Sequence, residues 1–287
     1  MNVIKEEKST FDKIEKIGHG SLVQHGKLND RLYLIKLHAN DRESITDMIG
    51  TIAAESNYSK IFVKVPFSAR NKFIRDGYVQ EAVIPRYYLN AEDVWFMAKY
   101  LSKDRSIPDF VDLKNFRKVL DSPLNSLKYN VDSEVTLREL NESDVHRIVD
   151  IYNKVFETYP FPIHDPNYIK DVMKSHVRFF GAFFHDRLIG LSSAEIDRVA
   201  GAAEMTDFAV LPESRGKRLA YHLLNLMEKE MLAEGIETVF TIARIKSAAM
   251  NKTFINSGYS FSGTLVNNTN ISGNIESMNV YYKKLLV

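Results

Sequence analysis

The chain has 287 residues, 45% hydrophobic and 26% charged, which is the composition of a globular protein long enough for two hydrophobic cores. Its 38 Lys and Arg nearly balance its 37 Asp and Glu, and a net charge of +1 argues against a general nucleic-acid binder. The absence of cysteine excludes disulfides, thiol nucleophiles and cysteine-based metal sites.

No apolar run is long enough to span a bilayer, and the N-terminal sequence MNVIKEEKSTFDKIEK lacks the apolar stretch of a signal peptide. We therefore expect a cytoplasmic protein with neither a membrane nor a nucleic acid as partner. The eight histidines have no metal-ligand spacing, so we expect no metal site.

Two blocks of alternating strands and helices follow one another along the chain. In the first block, strands are predicted at 21–27, 31–37, 61–65, 78–88 and 94–101, and helices at 41–56 and 68–76. In the second block, strands are predicted at 135–140, 179–185, 188–197, 203–211, 239–244, 259–265 and 278–285, and helices at 141–156, 165–176, 214–233 and 248–257.

The segment between the blocks is polar and carries Pro108 and Pro123, so we expect an interdomain connector with some helix in it. The predicted organisation is an N-terminal domain at 1–102, a connector at 103–133 and a C-terminal domain at 134–287.

An internal repeat relates the two blocks. The strand at 61–65 and the helix after it resemble the strand at 239–243 and the helix after that. In both copies a Phe precedes a Gly by four residues, as Phe73 precedes Gly77. This pattern predicts two copies of one architecture.

The segment from Glu204 to Ala220 predicts an anion site, because a strand leads through a turn of small and basic residues into a long helix. Backbone N–H groups at a helix start have no partner within the helix, and the helix dipole adds positive potential there. Arg215, Lys217 and Arg218 add formal charge, so the turn suits a pyrophosphate. Basic first turns also occur on plain solvated surfaces.

This segment, Val210-x-Pro-x-x-Arg-Gly-Lys-x-Leu-Ala220, resembles the acetyl-coenzyme A motif of the GNAT family of N-acetyltransferases. Asn251 and the Phe254-x-x-x-Gly-Tyr ending resemble the second signature of the family. The resemblance covers about 134–287. It implies a mixed α/β fold, with a central mixed sheet flanked by helices, preceded by a smaller degenerate GNAT-like domain.

The resemblance also implies acetyl-CoA as cosubstrate and assigns its binding to eleven residues. They are Phe208, Ala209, Val210, Arg215, Gly216, Lys217, Arg218, Leu219, Ala220, Asn251 and Phe254.

Four shorter segments resemble a narrower family, the β-lysine N6-acetyltransferases, which make the osmolyte N6-acetyl-β-lysine. They are Glu204-Met-Thr-Asp-Phe-Ala, Thr241-Ile-Ala-Arg, Asn267-Asn-Thr and Glu276-Ser-Met-Asn-Val. This resemblance implies a small diamine acid as substrate and a role in osmoadaptation. Acetyl transfer to another small amine or to a protein lysine, and a non-catalytic acyl-CoA sensor, remain alternatives.

Two positions depart from the pattern of the GNAT family. Arg218 stands where the family has the first glycine of its motif, and its side chain adds bulk where backbone normally approaches phosphate. Phe254 stands where many members carry a tyrosine that protonates the leaving thiolate, and phenylalanine has no proton to donate.

An amine of pKa ~10 is almost wholly protonated at neutral pH, so its acetylation needs a base. Glu204, on the strand that leads into the phosphate turn, is the first candidate, and Asp207 is the second. Residues three apart on a strand face opposite sides, so the two face one amine only if a bulge intervenes.

The candidate contacts of the acceptor amine are Tyr159, Asp165, Arg244, Asn267 and Glu276, with Arg178 an alternative to Arg244 for a substrate carboxylate. The first block has two acidic residues at 38–44, where a phosphate turn would be expected, and acid there repels pyrophosphate. We therefore expect this block to pack against the second domain, shape the acceptor pocket or mediate a homodimer.

Overall fold

The structure is a computed structural model that describes residues 12–124 and 130–285. Most of the N-terminal sequence examined for a signal peptide, a short part of the predicted connector and the last two residues lie outside the described residues.

Two sheets form the framework, each with helices packed on it. The N-terminal sheet holds β1 Lys13–Ile17, β2 Ser21–Gly26, β3 Arg31–Lys36, β4 Lys60–Pro66, β5 Val79–Tyr88 and β6 Glu92–Tyr100. The C-terminal sheet holds β7 Val135–Glu139, β8 Val177–Phe184, β9 Arg187–Asp197, β10 Ala202–Val210, β11 Thr238–Arg244, β12 Ser260–Ile271 and β13 Asn274–Lys284. The helices are α1 Ile45–Glu55, α2 Arg70–Arg75, α3 Phe110–Leu120, α4 Val145–Val155, α5 Pro166–Ser175, α6 Leu219–Ala233 and α7 Ala248–Asn256.

The six strands of the N-terminal sheet follow the same order as β8–β13 of the C-terminal sheet, which has β7 as an additional edge strand, and this confirms the predicted internal repeat. The orders are β1-β2-β3-β4-β6-β5 and, read from its other edge, β7-β8-β9-β10-β11-β13-β12. In each half an antiparallel hairpin, β2–β3 or β9–β10, is followed by a parallel crossover, β3–β4 or β10–β11. The crossover helices are α1 and α6. We call the elements β1–β6, α1 and α2 the first half, and the elements from β7 onward the second half.

The largest differences from the sequence predictions are in three elements. β1 was not predicted, because its alternation lies on a mostly exposed five-residue edge strand. β12 runs on to Ile271, through a polar stretch that the sequence pattern left out of the strand. α6 begins at Leu219 and not at residue 214, because residues 212–214 form a 3-10 turn and Arg218 is left-handed.

The predicted connector contains α3, which begins after its N-cap Asp109. Phe116 of α3 is buried in the core of the second half, and its ring lies 5.1 Å from that of Phe261. This part of the connector therefore packs as a layer of the second half.

A shared hydrophobic cluster joins the two halves. Its buried side chains include Phe62 and Phe96 of the first half and Phe240 and Val280 of the second. Gly263 of β12 passes so close to β5 that a Cβ at this position would lie 2.1 Å from the carbonyl oxygen of Glu81. The halves therefore meet through apolar side chains and directly through backbone.

Buried polar groups reinforce this contact. The Lys60 ammonium lies 3.0 Å from both carboxylate oxygens of Glu81 and also donates to the Val266 carbonyl of β12 at 2.7 Å. Arg105 donates to the Asn267 carbonyl at 2.7 Å, and the Asn270 N–H donates to Asn29 at 2.7 Å. These bonds explain the polar extension of β12, since its side chains and backbone find partners in residues far away in the chain.

In residues 12–124 and 130–285, no helix combines the length and apolar character that a membrane crossing requires. The same residues contain no group of three His, Asp or Glu side chains placed to hold a metal ion.

Candidate active site

A wedge opens in the C-terminal sheet where two parallel strands separate. β10 pairs with β11 only over Ala202–Glu204, opposite Thr238–Phe240. Beyond this point β10 follows β9 alone, and its register shifts between Thr206 and Ala209. The result is a cleft of about 600 Å³ between the ends of β10 and β11.

The turn between β10 and α6 forms one wall of the cleft. Gly216 has φ 84° and Arg218 has φ 57°, and α6 begins immediately afterwards. Arg218 thus takes the left-handed conformation that glycine adopts without a steric penalty, which costs an L-residue about 1–2 kcal/mol. Arg218 therefore stands where the family motif has a glycine and still forms a left-handed bend between β10 and α6.

Most of the predicted cofactor residues line this cleft together. They are Phe208, Val210, Arg215, Gly216, Arg218, Leu219, Ala220 and Phe254. The first turn of α6 faces the same space, so backbone N–H groups that have no partner within the helix and two guanidinium groups meet at one end. This end suits a pyrophosphate, and the apolar walls suit an extended acyl-carrying arm.

Three predicted cofactor residues lie elsewhere. Ala209 is buried in the cluster beneath α4, and the Lys217 ammonium lies 5.1 Å from the ring centre of Phe184. The Asn251 amide donates to the carbonyls of Arg244 and Ser247 at 2.9 and 2.8 Å. Its side-chain oxygen also accepts two hydrogen bonds, so Asn251 holds α7 against β11 and β13.

Phe254 is 1% exposed at the bottom of the cleft, with its ring edge-on to Phe208 at 5.6 Å. The nearby Tyr281 hydroxyl donates to the Asn251 side chain at 2.7 Å. It is therefore engaged in the protein and does not replace the hydroxyl that Phe254 lacks.

The strand bulge brings both predicted carboxylates to one face of the sheet. Thr206 pairs with Ser193, and residues 207 and 208 together stand opposite Ser192. Asp207, with φ 55°, accepts a hydrogen bond from Ser193 Oγ at 2.6 Å and another from the Tyr159 hydroxyl. Ser193 and Glu204 share a face of the β9–β10 ladder. The bulge therefore places Asp207 on the same face as Glu204, which is the condition for both carboxylates to face one amine.

Glu195 is a third carboxylate at this place, and the sequence analysis missed it. It is the direct cross-strand partner of Glu204 in the β9–β10 ladder. The signal was available, since polar Ser193 and Glu195 alternate along a strand that is otherwise mostly apolar. The three carboxylates form a cluster that we call the acidic floor, defined as Glu195, Glu204 and Asp207.

Burial raises the pKa of each carboxyl group in the acidic floor and so disfavours its ionised form. It raises the pKa of Glu204 to about 7, with a further rise from Asp207 and opposing effects from Lys64 and from a hydrogen bond of the Ile242 backbone. Burial and the charge of Glu204 raise the pKa of Glu195 to about 8. A carboxylate with a pKa near neutrality is matched to accepting a proton from an ammonium group.

The predicted acceptor residues divide into two groups. Tyr159 and Arg244 line the cleft. Asp165 is exposed and caps α5 through Asn167 N at 2.8 Å, and Asn267 donates to the carbonyls of Arg105 and Ile107. The structure therefore places Asp165 and Asn267 in structural contacts away from the cleft wall.

Arg244 and Glu276 form a bidentate ion pair, with distances of 3.0 Å from Nε and 2.7 Å from Nη2 to the two carboxylate oxygens. Glu276 is 4% exposed. Arg178 is similarly engaged by Glu139, Glu230 and Glu234. Each of these arginines thus has a carboxylate of the protein as its partner.

The first half has no counterpart of the phosphate turn. Between β3 and α1, buried Asp41 accepts hydrogen bonds from the His19 N–H at 2.9 Å and from Ser21 Oγ at 2.6 Å. Burial disfavours the ionised form of Asp41, but the hydrogen bonds from these donors outweigh this effect and lower its pKa. Asp41 therefore carries a negative charge at the junction between β3 and α1. The place that would hold a pyrophosphate is therefore occupied by a carboxylate.

Arg215→Ala tests the phosphate turn. We expect the KM for acetyl-CoA to rise about 10-fold with little change in kcat, because a charge-assisted contact to phosphate is lost far from the reacting carbonyl. The increase should shrink at high ionic strength. Steady-state kinetics beside Arg75→Ala, an exposed arginine of α2, provide the comparison. An unchanged KM would show that Arg215 does not contact the cofactor.

A model of the acetyltransferase (GNAT) family matches residues 145–252. A β-lysine N(6)-acetyltransferase of Methanococcus maripaludis is 39% identical over 95% of this chain and 99% of its own length. The N-acetyltransferase YodP of Bacillus subtilis is 33% identical over 95% of this chain and 98% of its own length.

Solved structures also resemble the chain over about half of its length. A dodecameric spermidine N-acetyltransferase from Vibrio cholerae is 21% identical, covers 54% of this chain and 95% of its own, and has a TM-score of 0.47. An N-acetyltransferase from Staphylococcus aureus is 20% identical, covers 54% of this chain and 100% of its own, and has a TM-score of 0.48.

Proposed function

We propose that this chain, which belongs to the GNAT family of acetyltransferases, transfers an acetyl group from acetyl-CoA to the N6 amine of β-lysine. Full-length similarity to a relative named for this reaction supports the substrate. The observation that carries the chemistry is the acidic floor beside the wedge between β10 and β11, where an ammonium group would meet a base.

Acetyl-CoA supplies the acetyl group when it is bound. Arg215, Arg218 and the first turn of α6 would hold its pyrophosphate, and the walls formed by Phe208 and Phe254 would enclose its arm. These residues fit such a molecule, because the cationic and apolar parts of the cleft are separated along its length.

Glu204 would act as the base. Its carboxylate attracts the substrate ammonium, takes one proton from it directly or through water, and leaves a lone pair on the nitrogen that attacks the acetyl carbonyl. The Tyr159 and Ser193 hydroxyls hold Asp207 in place beside it. As the thioester C–S bond breaks, the nitrogen would lose its second proton to solvent, and the thiolate would leave without a proton from Phe254, whose ring has none to donate.

A free-thiol release assay tests the function. With acetyl-CoA, we expect β-lysine to be acetylated with a kcat/KM at least 10-fold above that of α-lysine, spermidine or a lysine peptide, since a site built around a substrate's polar groups rejects analogues that misplace them. Mass spectrometry of the product should place the acetyl group on N6.

Two other outcomes would contradict the proposal in different ways. Faster turnover of spermidine or of the peptide would assign a different acceptor. Measurable acetyl-CoA binding without thiol release from any amine would indicate the acyl-CoA sensor.

We further propose, with this reaction, a cytoplasmic protein that contributes to osmotic adaptation through its product. Growth of a deletion strain at high salt, with and without added N6-acetyl-β-lysine, tests this role.

A further inference from the structure

A cation of the first half reaches the acceptor side of the acidic floor. Lys64 lies on β4, and its ammonium lies 5.8 Å from the ring centre of Tyr87 and 5.9 Å from that of Phe240. Phe240 is the parallel-strand partner of Glu204. A lysine about 140 residues before the predicted base is therefore brought next to it by the packing of the two halves.

Lys64 lies within electrostatic range of two members of the acidic floor. The charge of Lys64 opposes the rise in pKa of both Glu204 and Glu195, and Tyr33 lies within electrostatic range of Lys64 and both glutamates. All four side chains are deeply enclosed, yet each keeps part of its surface accessible. None of the four is therefore sealed in a hydrophobic core.

The Lys64 ammonium has no hydrogen-bond or ion-pair partner among the described residues. Its neighbouring cations differ in this respect. Lys60 is paired with Glu81, Arg31 donates to the Asn268 carbonyl at 2.5 Å, and Arg244 is paired with Glu276. A substrate carboxylate at this position would give the Lys64 ammonium the kind of hydrogen-bonded ion pair that Lys60 and Arg244 already form within the protein.

We propose that Lys64 binds the carboxylate of the acceptor amino acid, while the amine to be acetylated points toward Glu204. The proposal rests on the proposed function, because it requires an acceptor that carries both an amine and a carboxylate. The Tyr33 hydroxyl is a second donor for the carboxylate, since burial raises the pKa of Tyr33 and keeps its proton in place.

This arrangement gives the first half a direct part in substrate choice. Carboxylates near one end of the acceptor and the Lys64 ammonium near the other favour an amine that carries a carboxylate over a diamine or polyamine without one, which would offer Lys64 no counter-ion. The half that lacks a phosphate turn thus supplies the substrate's carboxylate site.

The test compares Lys64→Gln with wild type on two acceptors, β-lysine and 1,4-diaminopentane, which is β-lysine without its carboxylate. We expect kcat/KM for β-lysine to fall about 30-fold, mainly through KM, because a charge-assisted contact is lost. Turnover of 1,4-diaminopentane should stay the same or rise. Lys64→Arg should keep part of the discrimination. Lys36→Gln, an exposed lysine of neighbouring β3, should match wild type.

Calorimetric titration of both amines into the enzyme with coenzyme A gives a readout that does not depend on turnover. Lys64→Gln should weaken β-lysine binding by about the same factor and leave 1,4-diaminopentane unaffected. Equal weakening of both amines, or of neither, would overturn the role of Lys64. Wild-type protein that binds β-lysine without acetylating it would overturn the proposed function and still decide the role of Lys64. Wild-type protein that does not bind β-lysine would overturn both.

Discussion

Glu204→Gln is expected to lower kcat at pH 7 by about 100- to 1000-fold, the range of a positioned general base. Gln has nearly the same shape as Glu but does not accept the proton of an ammonium group. The KM for acetyl-CoA should change little, because Glu204 lies at the opposite side of the wedge from the phosphate turn. Thiol-release kinetics and a thermal unfolding curve, to show that the fold is intact, provide the measurement.

The pH dependence gives the same prediction a second readout. Burial raises the pKa of Glu204 to about 7, and only the ionised form takes up a proton, so wild-type kcat/KM should rise with pH through about 7 and then level off. In Glu204→Gln the plateau should be lost, and activity should climb toward the amine's own pKa of ~10.

Glu195→Gln is the matched control for this base. It removes the cross-strand partner of Glu204 and leaves Asp207 and Lys64 as the charged neighbours that affect the pKa of Glu204, so most of kcat should remain. The opposite pattern, with Glu195→Gln inactive and Glu204→Gln active, would move the role of base to Glu195.

Glu81→Gln is expected to destabilise the protein by about 3–5 kcal/mol, the cost of leaving a buried charge without its partner. Glu81 accepts hydrogen bonds from Lys60 and Tyr100 within the first half, and from the Val266 N–H of the second half at 2.7 Å. Denaturant unfolding followed by fluorescence and circular dichroism gives the change in the free energy of unfolding.

Two variants make the stability test specific. Glu213→Gln removes one partner of the exposed ion pair with Arg187 and should leave the unfolding midpoint unchanged. Lys60→Met combined with Glu81→Leu replaces both charges by apolar groups and should recover much of the loss. A midpoint for Glu81→Gln equal to that of wild type would contradict the prediction.

Local sequence was sufficient to predict a turn between β10 and α6, since Gly216 and the basic residues around it lie within one strand-turn-helix segment. It also predicted the repeat, whose strand, helix and glycine recur at matching spacing. The sequence did not predict the bulge at Asp207 and gave it only as the condition under which Glu204 and Asp207 face one amine. Backbone register depends on the partner strand as well as on the residues of β10.

The residues that the sequence analysis missed depend on contacts far away in the chain. Glu195 becomes important only when β9 and β10 pair in the register that places it opposite Glu204. Lys64 reaches the same place only when the halves pack. The polar residues of β12 were left out of the predicted strand, because their hydrogen-bond partners lie in the first half and in the connector.

The apolar cluster shared by the halves has a consequence for how the enzyme behaves on dilution. Two associating subunits separate at low concentration, but two halves of one polypeptide remain at a high effective concentration, on the order of millimolar for a short tether. Specific activity should therefore stay constant as the protein is diluted, if the space between the halves is where the amine binds.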